Sequence, residues 1–228
     1  MPQNMLTLED ELFADWFKRD PDVLRDGMFN ADKYRAANPR ILYVLKEPWM
    51  VDIPTDRNLL KTVENGDVAP TWTNITRWTI ALQKFTAGEF PVWREDLETI
   101  TDHDRQKALQ NIAIMDLKKT PGGTTSDMVE VAEWAIKNNE RLCRQLSIYN
   151  PDIIICGGSR VCDILRDNVC KISEKWRITK RGIYYFWYYG SNGGKIPVID
   201  FVHPQQRNTK NSLLTYALID AWSELRQL

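Results

Sequence analysis

Three short apolar runs, separated by longer stretches with helical periodicity, constrain the fold of this chain more than any other feature. They lie at residues 41–45 (ILYVL), 112–115 (IAIM) and 153–156 (IIIC). Each has the length of a strand, and uninterrupted apolar residues are typical of strands that are buried on both faces. Strands that alternate with helices pair in parallel and are covered by helices on both faces. The sequence therefore predicts an α/β fold, a three-layer α/β/α sandwich around a mainly parallel, four-stranded central sheet.

The remaining elements follow from periodicity and from turn residues. Helices are expected at 8–17, 72–85, 104–109, 127–149 and 212–225 and around Val161 to Leu165, and strands at 183–189 and 196–202. Asp127 and Glu130 form a helix start signal. The segment 46–71 contains three prolines and reads as a long loop, a kind of segment that is often functional. We expect one domain over 1–228, with 1–39 as a helical extension packed on it.

Composition excludes several classes of function. A net charge of −1 provides no overall attraction to a polyanion, so any DNA contact must come from local basic clusters. The four cysteines have no Cys-x-x-Cys spacing and there are two histidines, which predicts reduced thiols and no metal site. We also expect no membrane span or signal peptide, a cytoplasmic location, a monomer and no cofactor.

The predicted strands end in polar segments. Ligands of such sheets bind beyond the carboxyl ends of the strands. Here those ends are 46–49 (KEPW), 116–119 (DLKK), 157–160 (GGSR) and 203–207 (HPQQR). We therefore expect the functional groups of the chain on these four loops.

The four ends also carry a family resemblance. The chain resembles the uracil-DNA glycosylase superfamily in Glu47-Pro48-Trp49, in 70–75 (PTWTNI), in the strand and Pro-Gly loop at 111–123, in the strand at 151–158, and in 198–204 (VIDFVHP). The resemblance covers roughly four fifths of the chain, from residue 40 to the C-terminus. It departs from the family at Glu47, where an Asp or Asn is expected, at Gln205, where a Ser is expected, and at Asp116, where many members have an amide.

The resemblance implies a DNA glycosylase that flips a damaged or modified base out of DNA and hydrolyses its N-glycosidic bond. Glu47 would stabilise the sugar cation or activate water, and His203 would donate to the departing base. The implied base pocket consists of Pro48, Trp49, Trp72, Asn74 and Asp116. The implied contacts to the DNA backbone come from Lys118, Lys119, Gly158, Ser159, Arg160, Gln205 and Arg207. An ionised Asp116 accepts hydrogen bonds without donating any, so it would suit a base edge with two adjacent donors.

Two other functions are compatible with the same residues. In the first, the chain is a binding protein of the same fold that recognises nucleic acid or a nucleotide without hydrolysing it. Alternatively it is a small-molecule hydrolase or transferase on a flavodoxin-like sheet, in which Gly157-Gly158 and the glycine turn at 121–123 cradle a phosphate.

Overall fold

The computed structural model describes residues 4–49, 54–64, 70–123, 125–191 and 193–228. Parts of the predicted long loop, at 50–53 and 65–69, and Asn192 in the predicted turn between the last two strands lie outside the described residues.

A seven-stranded mixed sheet runs through the α/β fold. The strands are β1 (Gly27–Met28), β2 (Ile41–Leu45), β3 (Ile112–Asp116), β4 (Ile153–Gly157), β5 (Arg177–Ile178), β6 (Tyr184–Tyr189) and β7 (Lys195–Phe201). Their order across the sheet is β1-β3-β2-β4-β7-β6-β5. The central four, β3-β2-β4-β7, are parallel, and β1, β6 and β5 pair antiparallel.

The predicted sheet of four strands is therefore too small. The parallel centre is present, but β1 extends it on one side and β6 and β5 on the other. β1 lies inside the segment that we expected to be a helical extension, and it pairs with β3 through Gly27 and Met28. Strands of two residues have no period that a sequence pattern can reveal.

Helices surround the sheet, and most begin and end within a few residues of the predicted bounds. They are α1 (Met5–Arg19), α2 (Ala31–Ala36), α3 (Leu59–Glu64), α4 (Pro70–Thr86), α5 (Asp102–Leu109), α6 (Met128–Lys137), α7 (Asn139–Tyr149), α8 (Ser159–Ile164) and α9 (Asn211–Leu225), with π-helical turns at Trp93–Leu97 and Leu165–Val169. The helix predicted at 127–149 is two helices, with Asn138 between them. Asp127 caps α6 as expected, because its side chain accepts hydrogen bonds from the backbone of Val129 and Glu130.

Alternate residues of each central strand face opposite sides of the sheet. In β2, Leu42 and Val44 join a hydrophobic cluster with residues of α1, α6, α7 and α8. Ile41 and Tyr43 join a second cluster with residues of α4 and α9. Both faces of the parallel centre are therefore buried, and this leaves its carboxyl-terminal edge as the place where polar loops meet.

Candidate functional site

A pocket of about 400 Å³ opens at the carboxyl-terminal edge of β2, β3 and β7. The residues that line it come from the ends of β2 and β3, from the loops that follow these two strands and β7, and from α3 and α4. They are Leu45, Lys46, Glu47, Pro48, Trp49, Leu59, Thr71, Trp72, Asp116, Gly123, Ser126, His203 and Gln205. The pocket thus brings Glu47, Asp116 and His203 together, as the sequence predicted.

Glu47 is a buried carboxylate whose position is set by an ion pair. Its Oε2 atom lies 2.8 Å from the Nζ atom of Lys118, and the two side chains are 3% and 5% exposed. Lys118 also lies 3.0 Å from Oε1 of the exposed Glu130 on α6. Burial lowers the pKa of Lys118, but its hydrogen bonds to Glu47 and Glu130 outweigh burial and hold that pKa above its usual value.

The other oxygen of Glu47 has no hydrogen-bond partner among the described residues. Oε1 is buried and accepts no hydrogen bond from the part of the chain that the structure describes. A buried acceptor without a partner costs free energy, so such groups are rare and mark functional positions. Glu47 also lines the pocket, so this unpaired oxygen belongs to a side chain that borders the space where a ligand would bind.

A glycine makes room for this carboxylate. A β-carbon added to Gly122 would lie 2.0 Å from Cδ of Glu47. The backbone N–H of Gly122 donates to the carbonyl oxygen of Pro48 at 2.9 Å, and Trp49 and Gly122 form a parallel β-bridge. On the other side of Glu47, the backbone N–H of Lys118 donates to the carbonyl oxygen of Lys46 at 2.9 Å, so the loops after β2 and β3 are joined by their backbones both before and after Glu47.

His203 faces the same pocket in a defined protonation state. Burial lowers the pKa of His203, and the charge of Lys46 lowers it further, so the imidazole is neutral near pH 7. The backbone N–H of Gln205 donates to its Nδ1 atom at 3.2 Å. An Nδ1 that accepts carries no proton, so the ring holds its proton on Nε2 and can donate from there.

The loop after β7 is positioned by contacts of Pro204 with β4 and α4. Gly157, at the end of β4, has no side chain, and a β-carbon there would lie 2.7 Å from Leu45 and 3.1 Å from Pro204. On α4, the amide of Asn74 donates to the carbonyl oxygen of Pro204 at 2.6 Å and accepts from Arg77. Asn74 is buried and is not among the residues that line the pocket; its hydrogen bond supports the histidine loop, and its predicted place in a base pocket stays a prediction.

Asp116 lies beside a buried network that reaches the N-terminal helix. Asp26 accepts from the backbone N–H of Asp116 at 2.6 Å, from Nζ of Lys119 at 2.6 Å and from Nε2 of Gln145 at 2.7 Å. Gln145 also donates to Tyr149, which donates to Glu9 on α1. This network ties the end of β3 to α1 and α7.

Lys118 and Lys119, which the resemblance implied as phosphate contacts, both lie in buried ion pairs, and their predicted role stays a prediction. Lys118 is buried against Glu47, and Lys119 is 0% exposed and paired with Asp26. A phosphate cannot reach either ammonium group without breaking a buried ion pair. Ser159, Arg160, Gln205 and Arg207 are exposed and Gly158 is half-buried, and their predicted contacts to a DNA backbone stay predictions.

Two tryptophans of the predicted pocket differ in exposure. Trp49 is 65% exposed at the pocket, whereas Trp72 on α4 is buried and forms part of its wall. Trp49 therefore presents a ring face to solvent beside the opening.

Asp26, Gly122 and Glu130 contribute to the site although sequence reasoning missed them. Asp26 is separated from Asp116 by 90 positions and no motif surrounds it. Gly122 was recognised as part of a turn, but its contact with Glu47 is visible in the structure alone.

Within the described ranges, no cluster of three or more His, Cys, Asp or Glu side chains is arranged to hold a metal ion. None of the described helices combines the length and apolar character needed to cross a membrane. No protein-family model matches the sequence, and a comparison with curated proteins finds no match.

Proposed function

We propose that this chain is a DNA glycosylase-like hydrolase that binds a flipped-out, damaged or modified base and cleaves its N-glycosidic bond. One observation carries the proposal: a buried carboxylate, Glu47, shares a pocket with a neutral histidine, His203. One oxygen of Glu47 is held by Lys118 and the other has no partner among the described residues, while His203 has its donor on Nε2.

The chemistry of the reaction requires such a pair. As the glycosidic bond breaks, its electron pair leaves with the base and positive charge develops on the sugar. Glu47 stabilises that cation and accepts a proton from the water whose oxygen bonds to the anomeric carbon. His203 donates a hydrogen bond to the departing base, which takes up a proton once it is free. The products are the base and an abasic sugar, and no oxidant or cofactor is consumed.

The architecture supports this function. Hydrophobic clusters on both faces of the parallel centre fit a three-layer α/β/α sandwich of the uracil-DNA glycosylase type. The pocket volume of about 400 Å³ is within the usual range for small-molecule sites and accommodates a nucleobase. The exposed ring of Trp49 beside the opening suits stacking on a base or on its neighbour.

A cleavage assay tests the proposal. Labelled oligonucleotides containing uracil, hypoxanthine, xanthine or a mismatch are incubated with the protein and then treated with alkali, which breaks the strand at abasic sites. We expect breaks with at least one substrate. Glu47→Gln and His203→Ala are each expected to lower the rate by about 100-fold or more, because general-base and charge-stabilising groups contribute on this scale.

Matched variants separate these effects from general damage. Glu133→Gln makes the same chemical change at an exposed position on α6, and His103→Ala removes the other histidine, which is also exposed. Both should cleave as the wild type does. If none of the four substrates is cut, the glycosylase proposal is wrong, and retained DNA affinity would then indicate a binding protein of the same fold.

A further inference from the structure

Three carboxyl groups and two lysines meet at the ends of β2 and β3. The carboxyl groups belong to Asp26, Glu47 and Asp116, and the lysines are Lys118 and Lys119; all five are buried. Lys118 pairs with Glu47 and Lys119 pairs with Asp26. Both lysine ammonium groups are thus paired with carboxylates other than that of Asp116.

The carboxyl group of Asp116 has no lysine of its own among these five residues. Lys119 donates to the backbone oxygen of Asp116 at 2.8 Å and forms its ion pair with Asp26. Among the residues that the structure describes, no cation lies within ion-pair distance of the Asp116 carboxyl group. An unpaired buried carboxylate costs far more free energy than a buried neutral acid.

The groups that face Asp116 reinforce its neutral form. Burial raises the pKa of Asp116 well above its usual value; the charges of Asp26 and Glu47 raise it as well, against the opposing charge of Lys119. The other charged or titratable groups at the pocket are Lys46 and the neutral His203. Glu47, paired with Lys118, and Asp116, without a cation among the described residues, therefore lie in the same pocket in different electrostatic surroundings, a division that often separates base from acid.

We propose that Asp116 is a neutral carboxylic acid that donates a hydrogen bond to an acceptor atom of the bound base, and is thus a further catalytic residue. This role rests on the proposed function. The neutral acid offers one donor and one acceptor. It therefore suits a base edge with an acceptor beside a donor, rather than the two adjacent donors that an ionised Asp116 would require.

The donor acts on the leaving group. Negative charge grows on the acceptor atom of the base as the bond breaks, and a fixed donor on a buried side chain stabilises that charge. In this proposal Asp116 and His203 both donate hydrogen bonds to the departing base, while Glu47 faces the sugar and the water.

Carbon-13 NMR of the protein labelled at aspartate carboxyl carbons tests the proton directly, without a ligand. The Asp116 signal is assigned by its disappearance in Asp116→Asn. We expect the chemical shift of this carbon at pH 7 to be that of a protonated acid. We expect the shift to change when the pH is raised and not when it is lowered. The signal of an ionised carboxylate at pH 7 overturns the inference, whether or not the protein cleaves DNA.

Donation to the ligand is tested by binding. The probe is an oligonucleotide with 2′-fluoro-2′-deoxyuridine, in which the fluorine disfavours the sugar cation and so prevents cleavage. Asp116→Asn keeps a donor and an acceptor and should bind within about 10-fold of the wild type. Asp116→Ala should bind about 10-fold more weakly than Asp116→Asn or worse, and Asp22→Asn, an exposed control, should bind normally.

Cleavage rates test whether Asp116 contributes to catalysis. On whichever base is cut, Asp116→Ala should be slowed about 100-fold or more, and Asp116→Asn much less. The wild-type rate should fall as the pH rises through the pKa of Asp116, because the donor is lost, and this fall should be absent in Asp116→Asn. His203 titrates on the acidic side and does not produce it.

The failures are distinguishable. Binding that follows the expected order without cleavage refutes the glycosylase proposal and the catalytic role but keeps the neutral donor. Three results overturn the inference. In the first, Asp116→Asn is as impaired as Asp116→Ala; in the second, Asp116→Ala equals the wild type. In the third, the wild type neither binds nor cleaves.

Discussion

Replacing Gly122 by alanine is expected to lower the cleavage rate by about 100-fold or more while leaving the protein folded. The new β-carbon would lie 2.0 Å from Cδ of Glu47, so the carboxylate must move. Only the end of one side chain has to move, but that end is held in a buried ion pair with Lys118, so we also expect some loss of stability. A displacement of about 1 Å, however, is enough to cost about 100-fold in rate when the group must meet a reacting atom.

The neighbouring glycine provides the control. A β-carbon on Gly123 has its nearest contact, with the carbonyl oxygen of Thr125, at 4.0 Å. Gly123→Ala leaves Glu47 in place, so although Gly123 also lines the pocket, this variant should lose far less activity than Gly122→Ala. Single-turnover cleavage and urea unfolding are measured for both variants; equal rates would show that the position of Glu47 does not control the reaction.

Replacing Lys119 by methionine is expected to give the largest loss of stability, about 3–5 kcal/mol in the free energy of unfolding. Lys119 is fully buried and its ammonium group holds Asp26 and the backbone oxygen of Asp116. Methionine fills the space but leaves Asp26 as a buried charge without its cation. The ring of Trp16, 5.0 Å from the ammonium group, loses a cation–π contact as well.

Urea denaturation measures this loss, and two further variants identify its cause. Lys61→Met removes the same side chain from an exposed ion pair with Asp56 and should leave the midpoint nearly unchanged. Adding Asp26→Asn to Lys119→Met removes the uncompensated charge and should restore part of the loss. If Lys119→Met is as stable as the wild type, the buried pair does not hold this end of β3.

Local pattern was sufficient for most of the regular structure. The predicted strand at 41–45 has the bounds of β2, and the helix predicted at 72–85 lies within α4. Apolar periodicity reports which residues must be buried, and short-range geometry turns that requirement into a strand or a helix.

The break between α6 and α7 was not predicted because its cause is tertiary. The apolar spacing continues across Asn138, so the pattern indicates one helix. In the structure, Trp16 on α1 donates to the side chain of Asn138 at 3.3 Å, and the amide of Asn138 bonds back to Trp134. A contact across 122 positions leaves no periodic signal in the sequence.

The sequence by itself determined most of the helices, the parallel strands, and the presence of Glu47, Asp116 and His203 at one edge of the sheet. The tertiary structure alone decided which charges meet: Lys118 with Glu47, and Lys119 with Asp26. Two adjacent lysines look the same in a sequence whether they face a phosphate or a buried carboxylate. Burial and the distance between charges distinguish the two cases, and both depend on residues far apart in the chain.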